Sequence, residues 1–117
     1  MNLRKPLVSF VLVSLAVSVS AQFVGPGAAS PYRTVAEILK SAPDDMRVEL
    51  EGFIVKQVGK EKFIFTDGQS EIRVEIDQKY MPADRFDERT RLRIRGEVEK
   101  DFLESPEIDV DSVVLLK

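Results

Sequence analysis

RLRIRGEVEKDFLESPEIDVD, residues 91–111, is apolar at alternate positions on either side of a single interruption. Leu92, Ile94 and Val98 alternate with Arg91, Arg93, Arg95 and Glu97, and Ile108 and Val110 resume the pattern after a turn at residues 104–106. A period of two sends successive side chains to opposite faces, so the stretch predicts two antiparallel strands with one buried face. The same period begins at Arg47, with Val48, Leu50 and Ile54 set against Glu49 and Glu51. It continues through Phe63 and Phe65, then through Ile72, Val74 and Ile76 against Glu71, Arg73, Glu75 and Asp77. Gly52 is placed for a bulge in the first strand, Asp67-Gly68 is a hairpin turn signal, and residues 78–88, with Pro82, form a connector. Five one-sided strands separated by turns predict an all-β domain, a small closed β-barrel in preference to an open sheet.

Ahead of the strands, Thr34-Val35-Ala36-Glu37 is a capping-box pattern. It predicts a short helix to about Ser41 with Val35, Ile38 and Leu39 on one side, ended by Pro43 and Asp44. Residues 22–33 (QFVGPGAASPYR) bury little apolar surface to offset their ordering entropy and are expected to be a flexible leader. Residues 1–21 have the three parts of a cleaved secretory signal: Arg4 and Lys5, an apolar run over residues 7–19, and small residues at Val19-Ser20-Ala21. That run would rise only about 20 Å as a helix against roughly 30 Å of hydrocarbon, so no membrane span is expected once the signal is removed. Removal leaves 96 residues, enough for one domain with one core, here residues 34–117. The chain has no cysteine, which excludes disulfides and thiolate metal sites.

Several stretches together resemble the YgiW/YdeI family, the bacterial OB-fold or BOF proteins. They are Phe23-Val24-Gly25-Pro26, Leu50-Glu51-Gly52-Phe53-Ile54-Val55, Phe65-Thr66-Asp67-Gly68 and Ile72-Arg73-Val74-Glu75-Ile76-Asp77, followed by Ile94 to Asp101 and Glu107-Ile108-Asp109-Val110. The resemblance runs in order along nearly the whole chain. It implies a five-stranded OB-fold with a short N-terminal helix, no large helix between the third and fourth strands, export to the periplasm, and a role in stress tolerance without established catalytic residues. Phe102 and the Leu103-Glu104-Ser105-Pro106 turn depart from the family pattern.

Charge is distributed unevenly. The net charge is −3, and residues 96–117 hold seven acids against two lysines while residues 22–95 balance. If the fourth and fifth strands pair around Glu104, Glu97, Glu99 and Asp101 lie near Asp111, Asp109 and Glu107, and like charges opposite one another destabilise a strand pair. Solvent screening, a divalent cation or a cationic peptide or protein of the envelope could each compensate, so these six residues are a candidate cation or partner surface. Arg89, Arg91, Arg93 and Arg95 form a second candidate, a row able to grip a phosphate, an acidic glycan or a carboxylate. The competing role for that row is cross-strand pairing with Glu49 and Glu51.

Other functions are poorly served by these residues. Binding to single-stranded nucleic acid needs exposed aromatics and a basic track, whereas the outward positions of strands two and three are Lys62, Ile64, Thr66, Glu71, Arg73 and Glu75. The absence of histidine and cysteine removes the usual general base and thiol nucleophile. A metal-dependent hydrolase built from carboxylates and arginines, a nuclease or glycosidase, is the enzyme alternative, but its carboxylates would have to converge in a cleft. The sequence therefore predicts a monomeric or weakly associating periplasmic binding module that needs no cofactor, does not bind nucleic acid and is not an enzyme.

Overall fold

A computed structural model describes residues 32–101 and 103–117. The signal, nearly all of the leader and Phe102 lie outside the described residues. The element order is α1 (Val35–Ser41), β1 (Arg47–Gln57), β2 (Lys62–Thr66), β3 (Glu71–Ile76), a 3-10 turn (Gln78–Tyr80), β4 (Leu92–Glu99) and β5 (Glu107–Leu115). The strands close into a barrel in the order β1-β2-β3-β5-β4. All neighbours are antiparallel except β3 and β5, whose parallel pairing aligns Glu75 with Asp109 and Ile76 with Val110.

Alternation decides what is inside. Val48, Leu50, Phe63, Phe65, Ile72, Val74, Ile76, Leu92, Ile94, Val98, Ile108 and Val110 all belong to one core, and among the described residues no polar or charged residue is buried. β1 is long enough to serve two neighbours. Its first half pairs with β4 from Arg47↔Glu97 to Gly52↔Leu92, and its second half pairs with β2 from Phe53↔Thr66 onward. Gly52 sits at the changeover. It is not the bulge: the irregularity falls between Ile54 and Lys56. What glycine permits here is close approach, because a Cβ would collide with the Thr66 carbonyl oxygen and lie 2.9 Å from Phe65 Cζ.

The helix forms as the capping box predicts. Glu37 N–H donates to Thr34 Oγ1 at 3.1 Å, and Thr34 N–H donates to Glu37 Oε1 at 3.0 Å. Its buried face is Val35 and Ile38, continued by Ala42, while Leu39 is 37% exposed instead of packing beside them. The buried stripe follows the 35, 38, 42 spacing, and Leu39 borders an open hollow that also meets Ile64, Ile72 and Pro106.

Asp67 fixes the helix to the barrel. Its Oδ1 accepts the Gln69 and Ser70 N–H groups, each at 3.0 Å, and its Oδ2 accepts Val35 N–H at 2.9 Å. Partial burial alone would raise its pKa, but the backbone donors outweigh burial and hold it below the ordinary 3.8. Asp67→Ala is accordingly expected to destabilise the domain by about 1–3 kcal/mol, measured by urea denaturation at neutral pH. The wild-type advantage should be present above the ordinary carboxylate pKa and lost as the pH falls through the depressed folded value.

No large helix separates β3 from β4. The connector is a single 3-10 turn, with Lys79 N–H donating to Asp77 Oδ1 at 3.0 Å, and Tyr80, Met81 and Phe86 pack against the core from it.

Candidate functional site

The antiparallel register of β1 and β4 sets Glu49 opposite Arg95 and Glu51 opposite Arg93. Arg95 Nε lies 2.7 Å from Glu49 Oε1, Arg93 Nη2 3.1 Å from Glu51 Oε2, and Arg91 Nη2 3.1 Å from Glu51 Oε1. Hydrogen bonds from Arg93 and then Arg91 hold the Glu51 carboxyl below its ordinary range. Three of the four arginines singled out in the sequence are thus engaged across the strand pair. Arg89 is not in the row. It precedes β4 in a turn where its N–H donates to Asp87 Oδ1 at 2.9 Å, and its guanidinium, 84% exposed, lies 3.8 Å from Glu88. Beside the ladder a polar cleft of about 510 Å³ runs past Arg33, Thr34, Asp67 and Gln69.

The acidic residues meet in a register different from the one expected. Glu97 lies opposite Asp109 and Glu99 opposite Glu107, two residues away from a pairing centred on Glu104. A bulge at the other end of the hairpin, where Arg95↔Ser112 is followed by Gly96↔Val110 and Asp111 is the extra residue, accounts for one of the two. Gly96 makes that bulge fit: a Cβ there would collide with the Asp109 carbonyl oxygen and lie 2.8 Å from Val110 Cα. Asp101 falls outside the row, in the hairpin tip, where its Oδ1 accepts Leu103 N–H at 3.4 Å.

Each acid then meets a different environment. Asp111, in the bulge, receives Arg47 Nη1 at 2.6 Å and Nη2 at 3.2 Å, and this hydrogen bonding holds its pKa down. Glu97 shares the same guanidinium at 3.9 Å. Glu107, with its side chain 12% exposed, is held between Lys62 Nζ at 2.7 Å and Arg73 Nη1 at 3.3 Å. Among the described residues Glu99 and Asp109 form no salt bridge. Both have raised pKa values. For Glu99 the causes are loss of water and then the charges of Asp109, Glu75 and Glu107; for Asp109 they are loss of water and then Glu75 and Asp111.

Two participants were missed by reading the hairpin alone. Glu75 arrives beside Asp109 through the parallel β3–β5 pairing, and Lys62 arrives opposite Glu75 through β2–β3. Period-two alternation placed both side chains outside the barrel, but only the closure of the barrel brings them to this face. Glu75, Glu99 and Glu107 each offer an oxygen within 4.8 Å of the others, a spacing compatible with a cation. The Lys62 ammonium already seats on two of them, at 2.7 Å from Glu107 and 3.5 Å from Glu75. A hollow of about 440 Å³ opens beside this cluster, towards Lys100 and Glu104 of the hairpin tip.

Comparison with known proteins agrees with this architecture. The family model described as "Bacterial OB fold (BOF) protein" matches residues 16–115. The chain is 36% identical over 118 residues, spanning all of both proteins, to the calcium-regulated OB-fold protein CarO of Pseudomonas aeruginosa. It is 36% identical over 80 residues to protein YgiW of Escherichia coli K12, a match covering 68% of this chain and 61% of YgiW. The solved structure of E. coli YgiW superposes with a TM-score of 0.67 at 35% identity, covering 83% of this chain and all of that one. A chain of the Schizosaccharomyces pombe Stn1–Ten1 complex superposes with a TM-score of 0.60 at 16% identity, a likeness of fold alone.

Proposed function

The chain belongs to the bacterial OB-fold (BOF) family, and from that membership we propose that it is a periplasmic binding module that contributes to envelope stress tolerance without turning over a substrate. Its contact surface is the face formed by Glu97 and Glu99 of β4, Glu107, Asp109 and Asp111 of β5, and Glu75 of β3. The ligand is a basic segment of an envelope protein or peptide. The observation that carries this reading is the uneven supply of countercharge. Arg47, Lys62 and Arg73 already supply guanidinium and ammonium groups to Asp111 and Glu107, while among the described residues Glu99 and Asp109 have no salt-bridge partner. A partner's lysine or arginine supplies to these two what the protein's own side chains supply to their neighbours.

Export rests on the three-part signal in residues 1–21, and the stress role on the family resemblance. The carboxylate–arginine hydrolase is the weaker reading. Arg91, Arg93 and Arg95 are engaged with Glu49 and Glu51, and the acids line an open strand surface. Nucleic acid fits poorly too, because Phe63 and Phe65 point into the core and the face that gathers charge is negative.

A ligand that binds only the folded state raises its melting temperature. Decalysine is expected to raise it at low ionic strength, with the effect fading steeply as salt is added. The word calcium in the name of the Pseudomonas relative belongs to that protein; here calcium chloride serves as the second arm and sodium chloride at equal ionic strength as the third. A rise with calcium that sodium does not imitate would move the reading to a metal site, and identical responses to all three would remove the face as a binding surface.

A further inference from the structure

We propose that Glu99 and Asp109 are a proton-sensitive pair built into the acidic face: as the pH falls they take up protons and discharge the middle of the face. The pair stands on geometry. Glu99 closes β4 directly opposite Glu107, and Asp109 lies between Glu97 on β4 and Glu75 on β3. Each is therefore flanked by carboxylates on neighbouring strands, and neither has a salt bridge among the described residues.

Three of the cations nearby are committed elsewhere. Lys62 is bound to Glu107 and Glu75, Arg73 to Glu107, and Arg47 to Asp111 and Glu97. On the loop side Glu99 borders the hollow with Asp44, Lys100, Asp101 and Glu104, and the Asp44 carboxylate is itself occupied by the Lys100 N–H at 2.8 Å. Among the charges that act most strongly on Glu99, Lys62 favours ionisation, against Asp109, Glu75 and Glu107. For Asp109 the balance is the same, with Glu75, Asp111 and Asp77 opposing Lys62. Both groups are held above their ordinary values of 4.5 and 3.8, whereas Arg47 holds Asp111 below 3.8. Acidification thus removes charge at the two carboxylates left open to a basic ligand. The grip of the face on such a ligand then weakens, a consequence that rests on the partner reading above.

Two measurements on the protein test this. Carbon-detected nuclear magnetic resonance of the side-chain carboxyls should give titration midpoints above 4.5 for Glu99 and above 3.8 for Asp109. Midpoints at or below those values would overturn the proposal, whatever the protein binds. The second uses the double variant Glu99→Gln, Asp109→Asn, which imitates the protonated pair. A group whose folded pKa is raised stabilises the fold at low pH and loses that contribution as the pH rises through the folded value. The variant should therefore melt above the wild type at pH 7, with the difference closing as the pH falls towards the ordinary carboxylate range. A difference that stays constant with pH would overturn the proposal.

Decalysine, fully charged throughout this range, separates the two readings. Wild-type binding is expected to weaken as the pH falls from 7 towards the ordinary carboxylate range at matched ionic strength, and to weaken more than that of the variant, which starts weaker at pH 7. Raised midpoints without decalysine binding at pH 7 would sink the partner reading and leave the proton pair standing. Binding at pH 7 that weakens on acidification no more in the wild type than in the double variant would retain the partner and overturn the discharge of the face.

Discussion

Phe65→Ala is expected to lower the unfolding free energy by about 3–5 kcal/mol, the range found when a large buried aromatic is truncated. Phe65 is fully buried, is among the largest side chains of the core, and pairs with Ile54 on one side and Ile72 on the other. Its ring also packs where the Gly52 backbone passes, so its loss empties the corner at which β1 changes partners. For a domain of this size that is a large share of a total near 5–15 kcal/mol. Urea denaturation followed by circular dichroism measures it directly. A loss under 1 kcal/mol would mean that the corner can collapse onto the vacated space.

Gly96→Val is the second large effect. Any Cβ at this position meets the Asp109 carbonyl and the Val110 backbone, atoms that belong to the neighbouring strand and cannot rotate away as a side-chain tip can. Overpacking ordinarily costs about 1–3 kcal/mol, and a clash against backbone lies at or beyond the upper end. The variant is expected to open the β4–β5 bulge as well as to lose stability. Amide exchange should therefore accelerate at Asp109 to Ser112 more than at the β1–β2 pairing. Equal acceleration throughout would show that the bulge is not the site of the strain.

How far the sequence prefigures this structure depends on the range of the interaction. Strand positions were legible because alternation is local: each of Val48, Leu50, Phe63, Phe65, Ile72, Val74, Leu92, Ile94 and Val98 can be assigned inward from its neighbours alone. The capping box at Thr34 and Glu37 was legible for the same reason. Hairpin register was not. The residues between β4 and β5 carry no short turn signature to fix the count, and the bulge at Asp111 arises from a close approach at Gly96 that only the folded pair reveals. Leu39 was misplaced because a two-turn helix buries a narrow stripe whose exact azimuth depends on what it lands on. The parallel pairing of β3 with β5 leaves no local trace, so Glu75 and Lys62 could not be added to the acidic face by counting along the hairpin. For the arginines, alternation gave the row correctly from Arg91 to Arg95 and extended it one step too far, into the turn that holds Arg89.

The placement of the countercharges bears on the order in which the barrel can form. β4 and β5 are joined by a short connection and are candidates for early pairing, yet as an isolated hairpin they would set Glu97 against Asp109 and Glu99 against Glu107 without the salt bridges that hold Glu97 and Glu107 in the barrel. The guanidinium and ammonium groups that relieve this come from elsewhere: Arg47 from β1, Lys62 from β2 and Arg73 from β3. Arg47 reaches the hairpin only when β1 docks on β4 across a separation of fifty residues, and Lys62 and Arg73 only when β3 docks on β5. Contacts so distant in sequence carry the entropy of loop closure before they return any stabilisation. The acidic hairpin thus depends on completion of the barrel for its electrostatic relief, and the barrel depends on the hairpin for its last two strands. The hairpin and the remaining strands are therefore expected to form together, as one cooperative unit.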